Sequence, residues 1–120
     1  SATFVNCSQL TSLDLTSFDT SKVTNMNSMF NGCNKLIDIK INNFDTSNVT
    51  NMSSMFSQCS SLTSLDLTSF NTSKVISMDS MFGGTTNLTN IKVSNKWVVG
   101  STTTVKDMFK DSGTDHVTTV

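Results

Sequence analysis

Hydrophobic and polar positions repeat with a period of 26 along most of the chain. The clearest column consists of phenylalanines, at Phe4, Phe30, Phe56 and Phe82. Aliphatic residues and methionines recur at the same interval, in columns that begin at Leu10, Leu13, Leu15, Val23, Met26 and Met29. A constant period between about 20 and 50 residues indicates an array of stacked structural units. It predicts one repeat domain over residues 1–120, with a partial coil at 1–9, complete coils at 10–35, 36–61 and 62–87, and an atypical coil at 88–120.

The first half of each coil has the alternation of a β-strand. In residues 10–18, Leu13 and Leu15 are separated and flanked by polar side chains. A period of two is typical of a strand with one buried face. Strands of successive coils would lie side by side as a parallel sheet.

The second half of each coil has apolar residues at steps of three and four, which in the first complete coil are Val23, Met26, Met29, Phe30 and Cys33. This spacing indicates one face of a short helix. The polar residues at 19–21 suit its N-cap. We therefore predict an α/β repeat solenoid, with one short parallel strand and one short α-helical or 3₁₀ segment in each 26-residue coil.

The last coil departs from the pattern. The interval from Phe82 to Phe109 is one position longer than the period of the preceding coils. We expect one inserted residue, with Trp97 in the position that phenylalanine has in the other coils. The alternative is that residues 97–99 begin a cap or an interface, since terminal repeats are commonly atypical.

The composition excludes several classes of protein. Asn, Ser and Thr account for 52 of the 120 residues, the net charge is −1, and there is no Arg. Affinity for nucleic acid comes largely from neutralising phosphates, so we expect no nucleic-acid binding. No apolar run approaches the roughly 18 residues of a membrane span, so we expect no membrane insertion.

The phrase LTSLDLTSFDTSKVTNMNSMFNGC, residues 10–33, recurs with substitutions at 36–59 and 62–85. It resembles the BspA-like leucine-rich-repeat family of bacterial surface proteins. The resemblance implies a leucine-rich-repeat-like solenoid, an extracellular location at the cell surface, and a role in adhesion. It implies no catalytic activity.

One polar column follows the predicted sheet. It contains alternating charges, flanked by two further polar residues, and the set is Asp14, Lys40, Asp66, Lys92, Asp38 and Asn90. Neighbouring strands lie about 4.8 Å apart, so these charges would form a cross-strand ladder. The ladder either sets register and solubility or forms a recognition strip. In the second case the partner would be a host or matrix protein, or another cell-surface protein.

The cysteines Cys7, Cys33 and Cys59 form a column. If helical layers set the distance between coils, neighbouring cysteines lie too far apart for a disulfide bond, which needs Cα atoms within about 7 Å. We expect free thiols that pack as small apolar residues.

No arrangement of residues predicts catalysis, a metal site or a cofactor. His116 is the only histidine and lies near the end of the chain, without a nucleophile and an orienting group at a recognisable spacing. Asp19, Asp45 and Asn71 form a column that either caps helices or attracts Ca²⁺. The seven methionines are expected in the core rather than as metal ligands.

An alternative function is structural. Open ends of a repeat array expose core layers and strand edges, so that copies can stack end to end into filaments. The residues that we expect at such an interface are Phe4, Trp97, Val98 and Val99. The chain would then be a stalk or a self-assembling fibre subunit, with itself as partner.

Overall fold

The chain forms five short β-strands within the region that the structure describes, residues 7–120 of a computed structural model. They are β1 (Ser12–Asp14), β2 (Asp38–Lys40), β3 (Ser64–Leu67), β4 (Asn90–Val93) and β5 (Thr118–Thr119). All paired strands are parallel and form two sheets, ordered β1-β2 and β3-β4-β5. In the first four strands, paired residues lie one period apart in the sequence, as Leu13 and Ile39 do.

The prediction of an α/β solenoid is wrong, because residues 7–120 contain neither an α-helix nor a 3₁₀ helix. Residues 21–33, expected to be helical, form turns instead. The molecule is a compact body with a Cα radius of gyration of 12.8 Å and extents of 34 × 31 × 26 Å. The leucine-rich-repeat-like solenoid that the resemblance implies is wrong for the same reason.

Hydrogen bonding explains why this half of the coil is not helical. Every second N–H group donates to a carbonyl of the next coil, as Ser28 does to Ser53 and Phe30 does to Met55, both at 2.9 Å. Most of the N–H groups between them donate three residues back, as Cys33 does to Phe30 at 3.2 Å, and the Asn27 N–H group donates to the Asn25 side chain. An α-helix needs bonds to the carbonyl four residues back, and none of these groups makes one. We call this hydrogen-bonded half of the coil the turn ladder.

Two positions in each coil have left-handed backbone. The first is occupied by Ser28, Ser54, Ser80 and Asp107, with φ between 56° and 58°. The second is occupied by Gly32, Gln58, Gly84 and Asp111, with φ between 59° and 81°. A residue with positive φ interrupts a right-handed helix. The steps of three and four between apolar residues therefore arise from successive turns.

The core is built from columns of identical side chains in successive coils. Phe30, Phe56 and Phe82 are fully buried, and their rings stack at centroid distances of 5.5 and 5.9 Å. Phe82 stacks in turn on Phe109 at 5.5 Å. The methionine, leucine and valine columns surround this stack, so almost every apolar column that the period revealed contributes to the core.

The turn ladder is continuous, whereas the sheet is not. Isolated parallel bridges join Asn25 to Asn51, Asn51 to Ser77, and Ser77 to Thr104. In the strand half of the coil, β2 and β3 share no ladder, which divides the described strands into two sheets. The turn ladder is therefore the element that links all the coils.

The extra residue of the last coil lies before Trp97. The Trp97 N–H group donates to the Ser94 carbonyl at 3.1 Å, in the same turn that Phe70 makes with Leu67 at 3.0 Å. The Trp97 side chain is half-buried and packs against the core. Tryptophan thus has the position that phenylalanine has in the preceding coils.

Candidate functional site

The exposed faces of the strands carry the polar column predicted from the sequence. Strand register places Asp14 beside Lys40 and Asp66 beside Lys92. The flanking residues Asp38 and Asn90 are the register partners of Ser12 and Ser64. All six predicted residues are exposed. We call the set Asp14, Asp38, Lys40, Asp66, Asn90 and Lys92 the charged strip; the gap between β2 and β3 divides it into two halves.

Hydrogen bonds from threonines orient two of the three acidic residues of the charged strip. The Oδ1 atom of Asp14 accepts hydrogen bonds from the Thr16 hydroxyl at 2.6 Å and from the Thr16 N–H group at 3.1 Å. Asp66 and Thr68 make the same pair of bonds at the same distances. These bonds, with a smaller contribution from the neighbouring lysine, lower the pKa of both carboxyl groups.

The lysines of the strip are less constrained. Lys40 and Lys92 form no side-chain hydrogen bond and no ion pair within 4.0 Å in the described region. The lysine and aspartate side chains of the strip therefore lie on neighbouring strands without forming an ion pair. Two shallow depressions open on the strip, one of about 300 Å³ between Lys40 and Asp66 and one of about 250 Å³ beside Lys92.

The residues predicted to cap helices form turns of their own. Asp19 accepts the Ser21 N–H group at 3.0 Å, and the same bond joins Asp45 to Ser47 and Asn71 to Ser73. The helix-capping role is wrong because no helix follows. These bonds lower the pKa of the Asp19 and Asp45 carboxyl groups. No group of three metal-ligating side chains occurs among residues 7–120.

Sequence reasoning missed the function of one threonine column, Thr20, Thr46 and Thr72. All three are buried. The Thr46 hydroxyl donates to the Asn71 carbonyl at 2.9 Å and accepts the Asn71 N–H group at 2.8 Å. Thr20 bonds in the same way to Asp45, and Thr72 to Val98. The signal available in the sequence was the recurrence of threonine at one position of every complete coil.

The residues predicted for end-to-end stacking have different positions. Phe4 lies outside the described residues. Trp97 is half-buried against the core, whereas Val98 and Val99 are 45% and 51% exposed. In the same last coil the turn ladder has an open edge, because four N–H groups find no acceptor within residues 7–120: Val105, Asp107, Phe109 and Asp111.

In the cysteine column, Cys33 and Cys59 follow the stacked phenylalanines Phe30 and Phe56 by three residues. Cys33 and Cys59 are buried and Cys7 is half-buried. Burial raises the pKa of Cys33 to about 11 and that of Cys59 to about 12. The Cys59 thiol donates to the Phe30 carbonyl of the preceding coil at 3.1 Å.

The geometry thus defines a protein of stacked 26-residue repeats, with a hydrogen-bonded turn ladder in one half of each coil and an exposed charged strip in the other half. The chain belongs to the family described as "Mycoplasma protein of unknown function, DUF285", whose model matches residues 1–118. Comparisons with curated proteins and with solved structures found no match. In the described part of the chain, no helix is long and apolar enough to cross a membrane.

Proposed function

We propose that the chain is a non-enzymatic interaction module, exposed on the outside of a bacterial cell, that contributes to adhesion. Its partner would be a host protein, a matrix protein or another cell-surface protein. The resemblance of residues 10–33 to BspA-like bacterial surface proteins supports the proposed location at the cell surface and the proposed role in adhesion.

The charged strip is the observation on which this proposal depends. Asp14 and Asp66 are oriented by Thr16 and Thr68, so little side-chain freedom is lost when they bind. The neighbouring lysines have no competing ion pair in the described region. A partner with the opposite alternation of charges would meet donors and acceptors already in register.

Binding through this strip is expected to be weak for one module. The strip contains no aromatic residue and no arginine, which usually dominate the energy of an interface. Exposed charges are also screened over about 8 Å at physiological salt. Useful affinity would come from many modules on one cell, whose contacts add through effective concentration.

The test is attachment of beads coated with the protein to collagen surfaces and to cultured epithelial cells. Lys40→Glu with Lys92→Glu removes every positive charge from the strip and should abolish attachment. The matched control is Lys22→Glu with Lys35→Glu, which changes net charge equally at exposed positions outside the strip. Equal attachment of both double variants and the wild type would disprove the role of the strip.

The alternative function, a stalk or fibre subunit, is favoured by a different observation. The open edge offers the N–H groups of Asp107, Phe109 and Asp111, and the same last coil exposes the side chains of Val98 and Val99. A second copy could supply carbonyl groups to it. Light scattering over a wide concentration range would show growing polymers for the wild type and shorter ones for Val98→Asp with Val99→Asp. A monomer at all concentrations would exclude this function.

A further inference from the structure

The three cysteines have equivalent positions in successive coils. The Cys7 carbonyl accepts the Leu10 N–H group at 3.3 Å. The same turn joins Cys33 to Leu36 at 3.2 Å, and Cys59 to Leu62 at 3.4 Å. Cys7 therefore begins the same turn that Cys33 begins one period later in the sequence.

The spacing of the stack suits a disulfide bond between neighbours. Coils joined by parallel ladders lie about 4.8 Å apart, and a disulfide joins Cα atoms that are about 4.4–6.8 Å apart. Next to this column, the rings of Phe30 and Phe56 stack at 5.5 Å. The expectation that neighbouring cysteines lie too far apart assumed helical layers, which the described chain does not contain.

The Cys33 side chain lies within interaction range of Cys7 in the preceding coil. The Cys33 thiol interacts with both the backbone and the side chain of Cys7. Cys33 is fully buried, whereas Cys7 is partly exposed. The Cys59 thiol is also buried and is directed to the Phe30 carbonyl. An external reagent can therefore reach the column only at Cys7.

We propose that Cys7 and Cys33 form an intrachain disulfide bond by exchange with a small disulfide such as oxidised glutathione. The Cys7 thiolate attacks one sulfur of glutathione disulfide, whose S–S bond breaks and releases one glutathione. Cys33 then loses its proton and attacks the Cys7 sulfur, which releases the second glutathione. The two cysteines lose two electrons and two protons, and the glutathione disulfide is reduced to two thiols.

The bond joins the segment before β1 to the first complete coil, and the loop that it closes spans one full period of the sequence. A covalent loop restricts the unfolded chain, so the oxidised protein should melt at a higher temperature than the reduced one. Closure should be slow at neutral pH, because burial keeps Cys33 protonated. The rate of disulfide closure should rise with pH as the fraction of Cys33 in the thiolate form grows.

The experiment treats the full chain with oxidised glutathione and maps tryptic peptides without reduction. Cleavage after Lys22, Lys35, Lys40 and Lys74 places each cysteine in a separate peptide. We expect peptides 1–22 and 23–35 to be linked in the wild type. The matched control Cys59→Ser should give the same link, and Cys33→Ser should stop at a glutathione adduct on Cys7.

Three results would overturn the proposal. The first is a wild type that accumulates the Cys7 adduct without closure. The second is a link between peptides 23–35 and 41–74, and the third is a disulfide between two chains. The wild-type map distinguishes these outcomes even if the Cys33→Ser variant does not fold.

Discussion

The two halves of each coil differ in what holds them to their neighbours. The turn ladder runs without a break from Asn25 to Thr104, with buried threonines and stacked phenylalanines beside it. The strand half has only three or four residues per strand in the first four strands and is divided between β2 and β3. The comparison indicates that the turns hold the coils together, while the strands present side chains to the surroundings.

The phenylalanine stack should show the largest effect of a single substitution. Phe56→Ala removes a fully buried ring from between Phe30 and Phe82, and should lower the free energy of unfolding by about 3–5 kcal/mol. Urea unfolding measures this loss. The matched control is Phe18→Ala, because Phe18 is 49% exposed and its loss should cost well under half as much. Similar losses at both positions would contradict the importance of the stack.

The buried threonine column should have the next largest effect. Thr46→Val removes a hydroxyl that is bonded to both the N–H and the carbonyl of Asn71. Leaving these groups unpaired should cost about 1–3 kcal/mol. Thr46→Ser keeps the hydroxyl and should lose less. Thr50→Val removes an exposed hydroxyl that donates to the Thr24 carbonyl at 3.2 Å, and should cost little because water can replace that bond. If the Thr46→Val variant has the same urea midpoint of unfolding as the wild type, the buried threonine column does not hold the coils together.

The left-handed positions offer a stabilising change. Ser54 has φ of 56°, where glycine has no Cβ to strain, so Ser54→Gly should be neutral or stabilising, by up to about 1 kcal/mol. The neighbouring Ser53 is absent from the positive-φ residues, so Ser53→Gly should be destabilising. Thermal unfolding of the two variants compares them directly. The opposite order would show that the turns have a different backbone conformation.

The smallest expected effect is a loss of stability in acid. The Ser47 hydroxyl and N–H group hold the pKa of Asp45 below its ordinary value. Its contribution to stability is therefore present above the unfolded pKa of about 3.9 and is lost as the pH falls through the folded value. Asp45→Asn retains an acceptor, as Asn71 does in the next coil, and should show a weaker acid dependence of the urea midpoint. An unchanged dependence would mean that this turn does not contribute.

Much of this structure could be predicted from the period alone. The apolar columns predict which residues form the core, and the alternation around Leu13 and Leu15 predicts where the strand lies. The interval of one period predicts the register of Asp14 with Lys40. The charged strip follows from these three facts. Prediction succeeded here because a strand leaves only two directions for each side chain.

The turn half could not be predicted from spacing, since steps of three and four fit both a helix and a succession of turns. Composition was the neglected signal. Residues 20–33 contain no Ala, Leu or Glu but many Asn, Ser and Thr residues, which favour turns over helices. The bonds of Thr46 to Asn71 also need the neighbouring coil in place, so local propensity does not reveal them.

The most direct test of the turn ladder is the NMR scalar coupling through the hydrogen bond of the Phe56 N–H group. The structure predicts a coupling to the carbonyl of Met81, in the next coil, across a bond of 2.9 Å. A helix would instead give a coupling to the carbonyl of Met52, four residues back. The first result would establish that turns join the coils, and the second would contradict the fold described above.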